Sequence, residues 1–173
     1  MSQGSYFGKY RATVINNLDP EMRGRLMLMI PDILGLIPST WAEACVPLAG
    51  PTGPPMGVYM VPPIGAGVWV EFENGHPDYP IWVGCRWSAA SDIPPLAKAG
   101  LPISPNIVMQ TAGQNSFVIS DLPGPTGGIM LKSLTGASII VNDTGIYIQN
   151  GKGASINMVG PTVTINNGAL TII

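Results

Sequence analysis

Residues 71–87, EFENGHPDYPIWVGCRW, decide the fold. Val68, Val70 and Phe72 alternate ahead of a polar stretch, and Ile81 and Val83 resume the alternation after it. Period-2 alternation on both sides of Asn74-Gly75 marks two strands joined by a turn. That turn also holds the chain's one histidine, His76, between Gly75 and Pro77-Asp78. A lone histidine in a turn is ordinarily a solvated side chain, and a ligand set would need partners that this loop lacks. The stretch is expected to be a structural hairpin in a larger β architecture, with no catalytic or metal role.

Working outward, the same period recurs before the hairpin. KYRATVINN (9–17), RLMLMI (25–30) and TWAEACVPL (40–48) are three strand candidates, followed by GVWVEFE (67–73) and PIWVGCRW (80–87). Asp19-Pro20 and Gly24 punctuate the first connection, and the Gly/Pro-rich AGPTGPPMGVYMVPPIG (49–65) forms the longest one. Five short strands with one long connection predict a Greek-key barrel of the OB type over residues 1–87, including an N-terminal arm. Residues 88–106, rich in proline and alanine, are expected to be a linker.

From about residue 107 the texture changes. Glycines 128, 136, 145, 153, 160 and 168 recur at intervals of roughly eight residues and divide short alternating pieces. One face of these pieces carries Ile129 and Leu131, Ile139 and Val141, Ile146 and Ile148, Ile156 and Met158, Val163 and Ile165, Leu170 and Ile172. Ser138, Tyr147, Gln149, Asn157, Thr162 and Thr164 fall on the other. Two apolar residues per piece cannot close a core within one chain, because a single layer leaves its apolar face wet. Three chains around a common axis would supply that core, so residues 107–173 are expected to form an intertwined trimeric β-helix or β-prism, with those twelve residues inside.

The composition agrees with extensive burial against other chains. Hydrophobic residues make up 46% of the 173-residue chain and charged residues only 10%. Proline or glycine interrupts every apolar run before the roughly 20 residues that a spanning helix requires. The opening MSQGSYFGKYR lacks the apolar centre of a secretory signal. A net charge of −2 with eight scattered basic residues excludes nucleic acid as the expected partner, since phosphate binding needs aligned cations. Cys45 and Cys85 stand in strand-like contexts without metal-type spacing and are expected to be small, buried and reduced. Glu71 and Glu73 share one side of a strand, but no cleft is evident that would hold paired carboxylates across a sugar. No cofactor and no enzymatic activity are expected.

Several of these strings together resemble the contractile-tail spike family, which includes phage baseplate central spikes and the spikes of type VI secretion and related injection systems. The resemblance rests on the turn with Asp19, Pro20, Gly24 and Arg25, the Trp41 strand followed by Ala49-Gly50, and the run Pro63 to Gly65. Its most specific part is the ending with Gly75, Pro77, Pro80 and Gly84. The glycine-punctuated tail is similar to the family's β-helical needle. The resemblance implies a homotrimeric spike in a virion or injection-particle baseplate, assembled in the host cytoplasm and driven through the target cell envelope on sheath contraction. It also implies a baseplate hub protein as partner; the nearly uncharged Met56, Val58, Tyr59 and Met60, together with the N-terminal arm, are expected to meet it. Residues 88–106 leave no room for the lysozyme-like domain of some relatives, and the C-terminal region lacks the His-x-His motif of iron-tipped spikes. The sequence as given ends on Leu170, Ile172 and Ile173, an apolar tip expected to carry a separate capping protein. The alternative reading is an oligonucleotide- or sugar-binding OB module trimerised by its β-structured tail.

Overall fold

The computed structural model describes residues 5–50 and 53–172, and it divides into two compact units, one up to Ser88 and one from Ala89. Ile173, expected at the tip, lies outside the described residues.

The first unit is a curled sheet of five strands: β1 (Tyr10–Asn16), β2 (Met27–Met29), β3 (Glu43–Ala44), β4 (Gly67–Phe72) and β5 (Pro80–Arg86), in the order β2-β1-β4-β5-β3. Every pairing is antiparallel except β3 with β5, which is parallel. The two ends of this order also meet. Leu26 and Ala42 exchange backbone hydrogen bonds of 3.1 and 2.7 Å just ahead of β2 and β3, so the sheet closes on itself. Closure removes the edges that such apolar strands would expose. The inward set is the alternating one: Val14, Leu28, Val68, Val70, Phe72 and Trp82 are buried, with Leu26 and Ile30. Tyr6, Tyr10 and Phe72 pack ring on ring near the hairpin, and Tyr6 N–H donates to Gly75 O at 2.8 Å.

Two features differ from the sequence expectation. Between the strand candidates, where the sequence suggests only a loop in PDILGLIPS (31–39), Pro31–Leu34 form a single helical turn, α1, ended by Gly35 at φ 61°. A proline at the first helical position needs no N–H, and glycine accepts the left-handed φ that stops the turn. Both cysteines are free and exposed, not buried. Cys45 falls just past the two-residue β3, and Cys85 lies beyond the irregularity where β4 and β5 shift register between Trp69 and Val70.

The second unit opens with residues 89–106, which carry two 3-10 turns, Ala90–Asp92 and Pro95–Ala99. Asn106 Nδ2 donates to Leu96 O at 2.8 Å, and Ser104 bonds the Asp121 carboxylate. Eight strands then follow in simple succession: β6 (Ile107–Gln110), β7 (Ser116–Ser120), β8 (Gly128–Lys132), β9 (Ser138–Asn142), β10 (Gly145–Gln149), β11 (Ser155–Val159), β12 (Thr162–Ile165) and β13 (Leu170–Ile172). Each pairs antiparallel with the next, giving one meandering sheet. β6 and β7 precede the first of the periodic glycines. Their turn holds Gly113, but the left-handed residue in it is Gln114, at φ 62°.

Candidate functional site

Register builds the site. Because each strand of the second unit pairs in step with the next, alternate side chains align into columns across the sheet. One column runs Ile107, Ile119, Ile129, Val141, Ile146, Met158, Val163, Ile172. The column beside it runs Met109, Phe117, Leu131, Ile139, Ile148, Ile156, Ile165, Leu170. All twelve apolar residues singled out from the sequence stand in these two columns on one face. Ile107, Met109, Phe117 and Ile119 extend the ladder and were missed. Their alternation in IVMQ and SFVIS was visible, but the glycine period used to find the other strands does not reach them.

Most of this ladder is uncovered in the single chain. Ile129, Leu131, Ile139, Val141, Ile146, Ile148 and Ile156 are all exposed, as are Leu170 and Ile172. Burying the remaining area of a half-exposed aliphatic side chain is worth roughly 1 kcal/mol. Sixteen in-register residues therefore hold on the order of 10 kcal/mol per chain before the cost of association is met. An apolar face this continuous is an interaction surface.

The opposite face holds the six residues that the sequence placed there, but it is mixed in character. Tyr147, Asn157 and Thr164 make its centre polar from β10 to β12, but Val108, Val118, Met130 and Ile140 fill the same column from β6 to β9. Val118 is only 3% exposed.

Side-chain hydrogen bonds brace the turns that set this register. Asn142 Oδ1 accepts from Thr144 N–H at 2.9 Å and from Gly145 N–H at 3.2 Å, and the Thr144 hydroxyl meets Tyr147 OH at 2.7 Å. Asn150 Oδ1 does the same for Lys152 and Ala154 at the next turn. At the end of the sheet that holds the Asn150 turn, neighbouring turns interlock: Asn115 Oδ1 accepts from Leu134 N–H, and Asn166 Oδ1 from Ser155 N–H.

In the barrel, Asp19, Arg25, His76 and Glu71 are engaged structurally. Asp19 is 8% exposed and accepts from the backbone N–H groups of Glu21, Arg23 and Arg25 at 3.0, 2.8 and 3.2 Å, while Arg25 Nη2 reaches it at 2.6 Å. The Arg25 guanidinium holds the Asp19 carboxyl well below the usual carboxylate range, against the opposing effect of burial. Arg25 also lies over the Trp41 ring, and the Trp82 indole N–H donates to Gly24 O at 3.0 Å. His76 sits in the β4–β5 turn with Nδ1 3.6 Å from Asp78 Oδ2 and its ring against Tyr79. Glu71 pairs with Lys9. Among the described residues no group of three or more metal-type side chains converges.

The connection from β3 to β4 presents Met56, Val58, Tyr59 and Met60 exposed. It is more ordered than its composition suggests. Ala49 and Gly57 form an antiparallel bridge, with Gly50 N–H to Met56 O at 2.7 Å and Val58 N–H to Leu48 O at 3.0 Å, so 48–50 and 56–58 are the arms of a small hairpin.

Comparison with protein families bears on both units. Residues 10–87 match the type VI secretion system/phage-baseplate injector OB domain. Residues 106–171 match the phage baseplate V C-terminal trimerisation domain. No curated protein matched the chain. The first match spans the five-stranded barrel from β1 to β5, and the second spans the laddered sheet from β6 almost to its end. The families matched are structural components of baseplates. With an injector OB domain followed by a trimerisation domain over most of its length, the chain belongs to the phage baseplate V family of baseplate spikes.

Proposed function

We propose that three copies of this chain form the central spike of a contractile phage tail or phage-like injection baseplate, and that the laddered sheets wind together into a needle driven through the target envelope. The observation that carries this reading is the uncovered apolar ladder, all of it but Ile172 lying within the segment matched to a trimerisation domain. Joining three such faces around an axis removes them from water together and leaves a stiff, chemically inert rod. Stiffness is what a piercing element needs, and the sheath supplies the work. The twelve residues expected at the trimer axis, extended by the four on β6 and β7, form the core of this needle. A hub protein of the baseplate holds the barrel end. The outer edge of β13 is unpaired among the described residues, and a separate capping protein is the partner that suits it.

Mass measurement in solution tests the assembly. The purified chain is expected to scatter and sediment as three copies with no monomer at micromolar concentration; a folded monomer would overturn the reading. In particles, an assembled but destabilised needle is expected to leave sheath contraction intact while envelope penetration fails.

The oligonucleotide-binding alternative finds little support in the barrel's charges. Lys9 is paired with Glu71, Arg23 with Glu21 and Glu43, and Arg25 with Asp19, which leaves few cations for a phosphate track.

A further inference from the structure

Residues 107–173 contain only four charged side chains: Asp121, Lys132, Asp143 and Lys152. The topology sorts them by sign. Asp121 directly follows β7 and Asp143 directly follows β9, so both stand in turns at one end of the strands. Lys132 closes β8 and Lys152 lies between β10 and β11, which places both at the other end. The sheet therefore has an acidic rim and a basic rim, held apart by the length of a five-residue strand, roughly 17 Å. All four residues are exposed, and among the described residues none of them has an ion-pair partner. Their positions are fixed all the same. Asp121 accepts from the Ser104 hydroxyl, Asp143 Oδ2 from Gly124 N–H at 3.2 Å, and Lys152 N–H donates to Asn150 Oδ1 at 2.8 Å. Lys132 pairs with Ser116 on one side and Ser138 on the other.

The two rims match in spacing as well as in sign. On each, the second charge stands one hairpin beyond the first, about 10 Å along the sheet. The basic pair is displaced from the acidic pair by one strand, about 5 Å, which a lysine side chain can span. The apolar ladder, by contrast, cannot set the height of one chain against the next. Each strand offers it two apolar positions, so sliding a neighbouring sheet by one hairpin still lays apolar on apolar. The charges are not repeated in this way. One alignment forms two opposite-charge pairs, a slide of one hairpin leaves one pair, and a slide of two leaves none.

We infer that the acidic rim of each tail sheet meets the basic rim of the next copy, Asp121 to Lys132 and Asp143 to Lys152, a pairing that rests on the trimer proposed above and adds direction and register to it. Sign and spacing together select a second copy of the chain as the partner. A ring of three needs heterologous contacts, in which one patch meets a different patch on its neighbour, and the two rims are such patches. Parallel chains around one axis bring acid to base at every seam. Turning one chain end for end would set like rims together, which opposes the wrong assembly. Exposed ion pairs add little stability, so the ladder holds the trimer while the rims decide which edges meet and at what height.

Zero-length carbodiimide coupling of the full-length protein tests this, because it joins a carboxylate only to an amine already in contact with it. Asp121 and Lys132 lie on opposite rims of one sheet, as do Asp143 and Lys152, so either link can arise only between chains. Denaturing gels are expected to show covalent dimers and trimers, and peptide mapping to find both links. Sedimentation of the untreated protein tests the tail trimer separately. A sedimenting trimer that yields neither link, or that joins Asp121 to Lys152 instead, overturns the rim pairing and leaves the trimer standing; a monomer overturns both. A chain with exchanged rims, carrying Asp121→Lys, Asp143→Lys, Lys132→Asp and Lys152→Asp, gives a second readout. Co-expressed with a differently tagged parent, it is expected to form trimers of its own and none of mixed composition, since every mixed seam sets like charges together. Two tagged copies of the parent are expected to mix freely. Mixed trimers of parent and exchanged chains would overturn the pairing.

Discussion

At the scale of single residues, Asp19 shows how a short string becomes architecture. An aspartate followed by proline starts a turn, but the position matters here because its carboxylate is buried and takes five hydrogen bonds, three of them from Arg25, one through its backbone N–H and two through its guanidinium. Asp19→Asn keeps the shape, loses the charge, and turns an N–H donor toward either the guanidinium or the backbone N–H groups. The variant is expected to melt clearly below the parent at neutral pH. The folded pKa is depressed, so this stabilisation is complete above the unfolded value of about 3.9 and is lost as pH falls toward the folded one. The gap in melting temperature between parent and Asp19→Asn is therefore expected to narrow below about pH 4; a gap that stays constant down to pH 2 would mean that the charge plays no part. The Asp-Pro and Gly-Arg spacing was legible in the sequence, whereas the burial of Asp19 was not, since the turn is held by Arg25 folding back onto Asp19 and by the Trp82 indole reaching Gly24 O from β5. The cysteines fail for the same kind of reason. Their apolar neighbours suggested burial, but a strand that stops after two residues and a register irregularity place both at the surface.

Among elements, glycine was the best guide to the tail, and its usefulness ended where the even spacing of the glycines did. Gly128 opens β8 at φ 85°, and a Cβ built there would stand 2.0 Å from Val141 O on the neighbouring strand. Gly124, four residues earlier, has φ 73° but open space around it. Gly128→Ala is expected to cost about 2 kcal/mol or more, combining left-handed strain with displacement of β9, while Gly124→Ala costs about 1 kcal/mol from strain alone. Thermal melts of the two variants check the order; equal losses would mean that β9 gives way freely. In the β6–β7 turn the left-handed residue is Gln114, and its neighbour Gly113 stands ahead of the evenly spaced run that begins at Gly128, so β6 and β7 escaped a search built on glycine period. The mixed character of the opposite face escaped for a related reason: Met130 and Ile140 alternate correctly, but only pairing with Val118 and Val108 reveals them as one apolar column. In the barrel the alternation located all five strands, and the closure between Leu26 and Ala42 was beyond any local pattern because it joins residues far apart in the chain.

For the molecule as a whole, the decisive question is which face of the tail meets other copies. Ile148 sits in the middle of its column between Ile139 and Ile156, yet it is exposed in the single chain. An aspartate there costs the isolated chain little, so any large effect must arise on assembly. Three carboxylates brought together in an apolar axis would cost several kcal/mol per copy through unpaired, like-charged burial. Ile148→Asp is therefore expected to convert the trimer to monomers whose circular dichroism retains β signal and whose barrels stay folded. Gln149→Asp makes the ideal comparison, because it changes the adjacent residue on the same strand, is exposed, and points to the other face. It is expected to sediment as the parent does. If both variants remain trimeric, the ladder is not the shared surface. If Gln149→Asp dissociates while Ile148→Asp does not, the mixed face is the inner one, and the apolar ladder is left to cover some other partner of the baseplate.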